Sequence, residues 1–234
     1  MIQTTIGQNE RRDRRGVNLL GYTALAGILV ALYAVFFYAP REAMMGEVQR
    51  IFYFHVPSAY IAFLAFAVVF VSSVQYLRTR DAGWDARAHA SAEIGVVFCT
   101  IALVTGSIWA KPIWGAWWTW DPRLTTTLVL WLIYVSYLML RRALDEPERR
   151  ARFAAVVGII GFVDVPLVFM SIRWWRTIHP VVFNADSIDV DGQMMVALVV
   201  SLAAFTILYL YLLKLRVGLE RLQIRVEALQ RARW

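Results

Sequence analysis

Cysteine is almost missing from this 234-residue chain: Cys99 is the only one. A single thiol rules out an intrachain disulfide and a thiolate-held metal cluster. No Gly-x-x-x-x-Gly-Lys-Ser/Thr run occurs, so the chain does not hydrolyse ATP through a P-loop. Histidine is nearly as scarce, at His55, His89 and His179. No internal repeat and no low-complexity linker divides the sequence, which predicts one domain over 1–234. Charge is also thin. Charged residues make up 18% of the chain and apolar ones 59%, with a mean hydropathy of +0.54. That balance excludes an ordinary soluble domain and points to the membrane class.

What the chain has instead is long apolar runs. A bilayer-crossing helix needs about 20 mostly apolar residues. Six stretches qualify, at about 17–37, 56–77, 90–110, 124–140, 153–172 and 194–213. The first is too long for a cleaved signal peptide, and Tyr38-Ala39-Pro40-Arg41 after it lacks a small-x-small site. The reading is an all-α integral membrane protein with six transmembrane helices.

Lys and Arg set the orientation. The N-terminal segment, the second and fourth connections and the C-terminal tail hold 18 of the 24 basic residues. The alternate connections hold only Arg41, Arg50, Lys111, Arg123, Arg173 and Arg176. Excess positive charge stays inside, so both termini are expected in the cytoplasm and connections one, three and five outside. The net charge of +7 is then topology and headgroup contact. Spread over four segments, it is no nucleic-acid footprint.

The outward connections carry the unusual chemistry. The first, Ala39–Pro57, has Met44, Met45, Ile51, Phe52, Tyr53 and Phe54, suited to a helix on the membrane surface. It ends in His55, with Pro57 expected in the first turn of the second span, where proline's missing N–H costs nothing. The second, Lys111–Arg123, contains Trp114-Gly115-Ala116-Trp117-Trp118-Thr119-Trp120-Asp121-Pro122. The third, Arg173–Gly192, has Trp174, Trp175, His179 and an acidic run of Asp186, Asp189 and Asp191.

An aromatic belt accounts for indoles such as Trp84, Trp131 and Trp234. It does not account for four tryptophans in seven residues. Such a segment suits a shelf for a flat, apolar, polarisable ligand. Gly115 would allow close approach. Asp121 either pairs with Arg123 or caps the fourth helix, with Pro122 at its first position. A lone histidine at a span end is usually a headgroup contact, but two of only three lie outside, flanking the tryptophan shelf. Imidazole is a normal axial ligand of haem iron, so the pair suggests a metalloporphyrin. His89, four residues before Glu93, is expected to pair with it on one helical face.

Asp164 is the one acid near the middle of a span. A buried intramembrane carboxylate is a functional candidate, but Pro166 follows closely, and a structural role at a broken helix is favoured. The tail 214–234 alternates basic residues with Leu215, Leu219, Leu222 and Val226. It reads as an amphipathic helix, lying under the membrane or against a cytoplasmic partner.

These residues carry a family resemblance. Trp114–Thr125 resembles the WWD signature of the haem-handling proteins of cytochrome c maturation. His55-Val56-Pro57, Trp174-Trp175 and Ile178-His179-Pro180 resemble the flanking histidine segments. Six spans with the signature in the second outward connection resemble the CcmC, or haem exporter protein C, branch, over nearly the whole chain. The resemblance implies binding of haem b at the outer face of the bacterial inner membrane. It implies presentation to the periplasmic haem chaperone CcmE, which attaches the haem covalently through its own histidine. It implies an ABC transporter, CcmA and CcmB, and the small protein CcmD as partners. Carried over by position, His55 and His179 are the axial ligands of the haem iron. Trp114, Gly115, Trp117, Trp118, Trp120 and Asp121 are the haem platform. Arg50, Arg123 and Arg173 are candidate partners for the propionates. The haem site is expected to be built by the outward loops, and no catalytic residue is assigned.

Two other classes compete. A permease subunit of an ABC-type exporter would need polar residues lining a path, and only Asp164 stands out. A membrane oxidoreductase would carry its histidines deep inside spans and have a second pair to relay electrons; neither is present here.

Overall fold

The computed structural model describes residues 2–179 and 191–231, with the side chains of 2–15, 225, 228 and 231 left aside. Asp186, Asp189, Trp234 and the side chains of Arg11, Arg12, Arg14 and Arg15 therefore lie outside the described residues. Among the described residues, seven α-helices follow in order: α1 Ile2–Tyr33, α2 Phe52–Thr79, α3 Ala82–Trp114, α4 Pro122–Ala143, α5 Pro147–Phe162, α6 Asp164–Trp174 and α7 Gly192–Arg231. Among the same residues, six helical stretches are long and apolar enough to cross a membrane: Gly16–Tyr38, Glu47–Thr79, Ala82–Trp114, Pro122–Ala143, Pro147–Trp174 and Gly192–Ile224. The chain is a multi-pass, all-helical membrane protein.

Local chemistry explains where the helices stop. A π-turn, Ala34–Tyr38, closes α1, with Ala39 N–H bonding Ala34 O at 2.8 Å; Pro40 cannot continue it. Arg50, on the 3-10 turn Glu47–Ile51, pairs with Glu47 at 2.5 Å and donates to Val35 O, fastening that turn to the end of α1. Arg80 closes α2 in the left-handed region, φ 58°, and Asp81 caps α3 by accepting Gly83 N–H at 2.8 Å. Asp121 caps α4 in the same way, accepting Arg123 N–H at 2.9 Å, with Pro122 as first helical residue.

Two sequence expectations about α2 change. Phe52 and Tyr53 do not lie on the membrane surface; they are buried at the start of α2. Helix therefore begins before Pro57, which sits in its interior and leaves the carbonyl of Tyr53, one turn back, without its main-chain donor. His55 is consequently not at a span entrance but well within the stretch Glu47–Thr79.

Small side chains bring the helices close, as is usual where lipid supplies no hydrophobic drive. Ala86, Ala88, Ala90 and Ala92 of α3 are buried. Gly95 lets Phe66 of α2 lie against α3: a β-carbon there would sit 2.5 Å from Phe66 Cε1. Phe66 in turn stacks on Tyr134 of α4, ring centres 3.7 Å apart. These rings, with Ile61, Val69 and Leu130, form the main core.

The fifth span is broken. α5 packs on both α2 and α4, whereas α6 packs on α4. The break falls at Val163, just before Asp164 and Pro166, whose missing N–H frees the carbonyl of Phe162. Asp164 is buried at the first turn of α6, where the helix dipole favours a carboxylate. Its Oδ2 is buried without a hydrogen-bond partner among the described residues.

The end of the bundle opposite the tryptophans is held by charge. Arg141 grips Asp85 with two bonds, 2.5 and 2.9 Å. His89 lies 3.8 Å from Glu93, as its spacing suggested, and closer, 2.9 Å, to Glu220. Arg216 also bonds Glu93, at 2.8 Å from Nε. The tail is thus not a separate helix under the membrane. α7 runs unbroken for 40 residues, about 60 Å at 1.5 Å per residue, and its Arg216 and Glu220 turn back onto α3.

Candidate functional site

A cavity of about 440 Å³ opens at the tryptophan end and runs down between α2, α3, α4 and α6. His55 and His179 both line it, as do Trp114, Trp118 and Arg123. Its floor reaches Cys99 and Thr127. Helices supply more of the wall than the outward loops do, because His55 faces α3 two to three turns below its end.

His55 is held in a defined chemical state. Its Nδ1 lies 3.0 Å from Ala102 O and 3.2 Å from Thr105 Oγ1, both on α3. A carbonyl only accepts, so Nδ1 carries the proton and Nε2 keeps its lone pair. A metal-binding imidazole is normally oriented by such a donated N–H. Gly106 makes room for the ring, since a β-carbon there would lie 3.0 Å from His55 Cε1. Trp109 meets the ring edge-on, centres 6.0 Å apart.

His179 comes from the segment after α6. Its ring centre is 6.5 Å from that of His55, the planes tilted by 35°, and 6.5 Å from Trp114. A metal sits about 2 Å from an imidazole nitrogen, and the nitrogen about 1 Å from the ring centre. Two rings flanking one metal therefore have centres about 6 Å apart, which matches. Among the described residues no group of three or more His, Cys, Asp or Glu gathers to hold a bare ion. Two imidazoles in an apolar slot instead suit a metal whose remaining positions are filled by a macrocycle.

The tryptophan segment divides in two. Trp114 and Trp118 line the cavity. Trp117 and Trp120 do not; they are 58% and 75% exposed. Trp118 and Trp120 meet edge-to-face at 5.8 Å, which joins the inner and outer pairs.

Gly115 and Asp121 do not line the cavity, and each has a local task in the chain. Gly115 closes α3 in the left-handed region, φ 75°, with its N–H on Lys111 O. A β-carbon on it would meet nothing of the chain within 4 Å, so the turn, and no close packing within the chain, accounts for the glycine. Asp121 is buried behind the cavity wall. Its carboxylate caps α4 and accepts from Thr177 Oγ1 at 2.8 Å and Ile178 N–H at 3.0 Å. The cap, and not an ion pair with Arg123, is the role the structure supports.

Of the three arginines named for anionic groups, Arg123 and Arg173 line the cavity. Arg123 is half-buried, and its Nη1, shut off from solvent, has no hydrogen-bond partner. Arg173 lies 5.7 Å from the Phe169 ring. Arg50 is spent on Glu47 and Val35 and is not part of the wall.

Sequence reasoning missed Trp109, Gly106, Thr105 and Thr177. The first three lie on one face of α3, where nothing marks them off from span residues. Thr177 stands two residues before His179, but its partner is 56 positions away.

Comparison with known proteins fits this geometry. The family model described as CcmC, heme exporter protein C, matches residues 9–232. A heme exporter protein C of Bradyrhizobium diazoefficiens is 36% identical over 212 residues, 88% of this chain and 81% of the relative. That of Rhodobacter capsulatus is 34% identical over 222 residues, 91% and 90% of the two chains. A putative cytochrome c biosynthesis ccmC-like mitochondrial protein of Marchantia polymorpha is 33% identical over 177 residues, 75% of each.

Proposed function

Because the chain belongs to the heme exporter protein C family, we propose that it holds haem b between His55 and His179 and presents it to the haem chaperone CcmE. The family is one of haem handling for cytochrome c maturation. The observation that carries the finer reading is the paired imidazoles, 6.5 Å apart, one of them locked as the Nδ1–H tautomer by Ala102. Haem is cargo here, not a resident group.

Each part of the wall has a task. The imidazoles fix the iron and leave it no open position, which disfavours oxygen chemistry. Trp109, Trp114 and Trp118 offer ring edges and faces to the porphyrin. Arg123 and Arg173, both on the cavity wall, suit the propionates; guanidinium to carboxylate is a strong, directed pairing. Trp117 and Trp120, outside the cavity, are left to meet the receiving chaperone. Holding the cargo rim beside the chaperone's histidine replaces much of the entropy cost of a two-body encounter.

The family reading implies a bacterial inner-membrane location, and the distribution of Lys and Arg supports both termini in the cytoplasm and the cavity facing the periplasm. The ABC subunits CcmA and CcmB and the small protein CcmD complete the system in this reading. The test is covalent haem on CcmE, seen by haem staining of denatured membranes. His55→Ala and His179→Ala are expected to abolish it. Wild-type staining in both variants would overturn the proposal.

A further inference from the structure

Asp121 is the busiest acceptor at the tryptophan end. Oδ1 takes Arg123 N–H at 2.9 Å and Thr177 O–H at 2.8 Å, and Oδ2 takes Ile178 N–H at 3.0 Å. Thr177 Oγ1 in turn accepts His179 N–H at 3.0 Å. One buried carboxylate therefore fastens, directly or through one hydroxyl, the two backbone N–H groups at and just before His179. Bonds to an ionised acceptor are about twice as strong as neutral ones.

The two candidate ligands rest on different supports. His55 is part of α2 and is oriented by Ala102 and Thr105 of α3; none of those contacts involves the tryptophan segment. His179 is tied to Asp121, next in sequence to Trp120, which is 75% exposed. Pro122 and the start of α4 stiffen the other side of Asp121. A shift of Trp120 thus reaches Thr177 and His179 through one acid, and passes His55 by.

We propose that Asp121 is a positioning residue that sets His179 against the cargo and couples it to the exposed tryptophans, so that His179 is the exchangeable ligand and His55 the fixed one. This rests on the haem-binding reading above. In the exchange, the bond between iron and the His179 nitrogen breaks, and a neutral donor from the receiving protein forms its own. One neutral imidazole leaves and one neutral donor enters, with no change of oxidation state.

The test uses the full chain, purified with haem, and its absorption spectrum. Asp121→Asn keeps the shape but turns an acceptor facing Ile178 N–H into a weaker acceptor or a donor. Thr177→Val removes the relay and leaves the α4 cap intact, so it reports even if Asp121→Asn folds poorly. Both are expected to lose most of the six-coordinate low-spin signal, as His179→Ala does, and to regain it with added imidazole. Thr177→Ser is expected to keep the wild-type spectrum. A wild-type low-spin spectrum in both Asp121→Asn and Thr177→Val, while His179→Ala loses it, overturns the clamp and leaves the haem site standing. An unchanged spectrum in His179→Ala overturns both.

Discussion

The imidazoles of His55 and His179 lie with ring centres 6.5 Å apart and planes 35° from parallel, although 124 positions separate them in the chain. One comes from the second turn of the second span's helical stretch, the other from the segment after the fifth span. α2, α3 and Asp121 together produce that meeting.

Gly106 is the space into which the His55 ring fits. Gly106→Ala would place a methyl 3.0 Å from Cε1. Overpacking of this kind typically costs about 1–3 kcal/mol. Haem retention on purification is expected to fall about tenfold while the protein stays folded, judged by its elution profile. Wild-type retention in Gly106→Ala would show that the ring does not depend on that face of α3.

The four tryptophans are expected to separate by function. Trp114→Ala and Trp118→Ala, which open the cavity wall, should lower bound haem in the purified protein. Trp117→Ala and Trp120→Ala should leave haem content unchanged and reduce its transfer to CcmE. The pyridine haemochrome of each variant, set beside haem staining of CcmE, measures both. Equal haem loss in all four would contradict the division.

Arg123 supplies a charged donor with no protein acceptor. If the propionates meet it, wild-type protein should bind haem more tightly than haem dimethyl ester, and Arg123→Gln should erase most of that preference. A charge-assisted hydrogen bond contributes about 1.5–3 kcal/mol, or about ten- to a hundredfold in affinity. Titration of the apoprotein with both compounds is the check.

Arg141 and Asp85 form a buried two-bond pair between α4 and α3 at the other end of the bundle. Removing one partner of such a pair usually costs about 3–5 kcal/mol because it strands a charge. Asp85→Asn and Arg141→Ala are expected to lower the temperature of thermal aggregation clearly, with an unaltered haem spectrum in the fraction that stays folded. A changed spectrum would mean that this end communicates with the cavity.

Much of this was legible in local sequence. Six apolar runs gave six spans, and Asp121-Pro122 announced the α4 cap because both rules act within one helical turn. Asp164-Val165-Pro166 marked the break in the fifth span for the same reason. What escaped was non-local. Pro57 looked like a first-turn proline, which set His55 at the span edge; Phe52 and Tyr53 are buried by neighbours that sequence does not display, and they move the helix start upstream. Gly115 and Asp121 sit among tryptophans, and their neighbours in sequence do not show all that they hold in place. Only contacts across 56 positions, from Asp121 to Thr177, reveal that the acid holds the other loop. The tail's amphipathic pattern gave its helix but not its continuity with α7.

The most direct test of the central claim is the low-temperature electron paramagnetic resonance spectrum of the purified ferric protein, wild type against His55→Ala and His179→Ala. Haem held between the two imidazoles gives a low-spin bis-imidazole signal in the wild type, replaced by a high-spin signal in each variant and restored by added imidazole. A wild-type low-spin signal that persists in either single variant would contradict it.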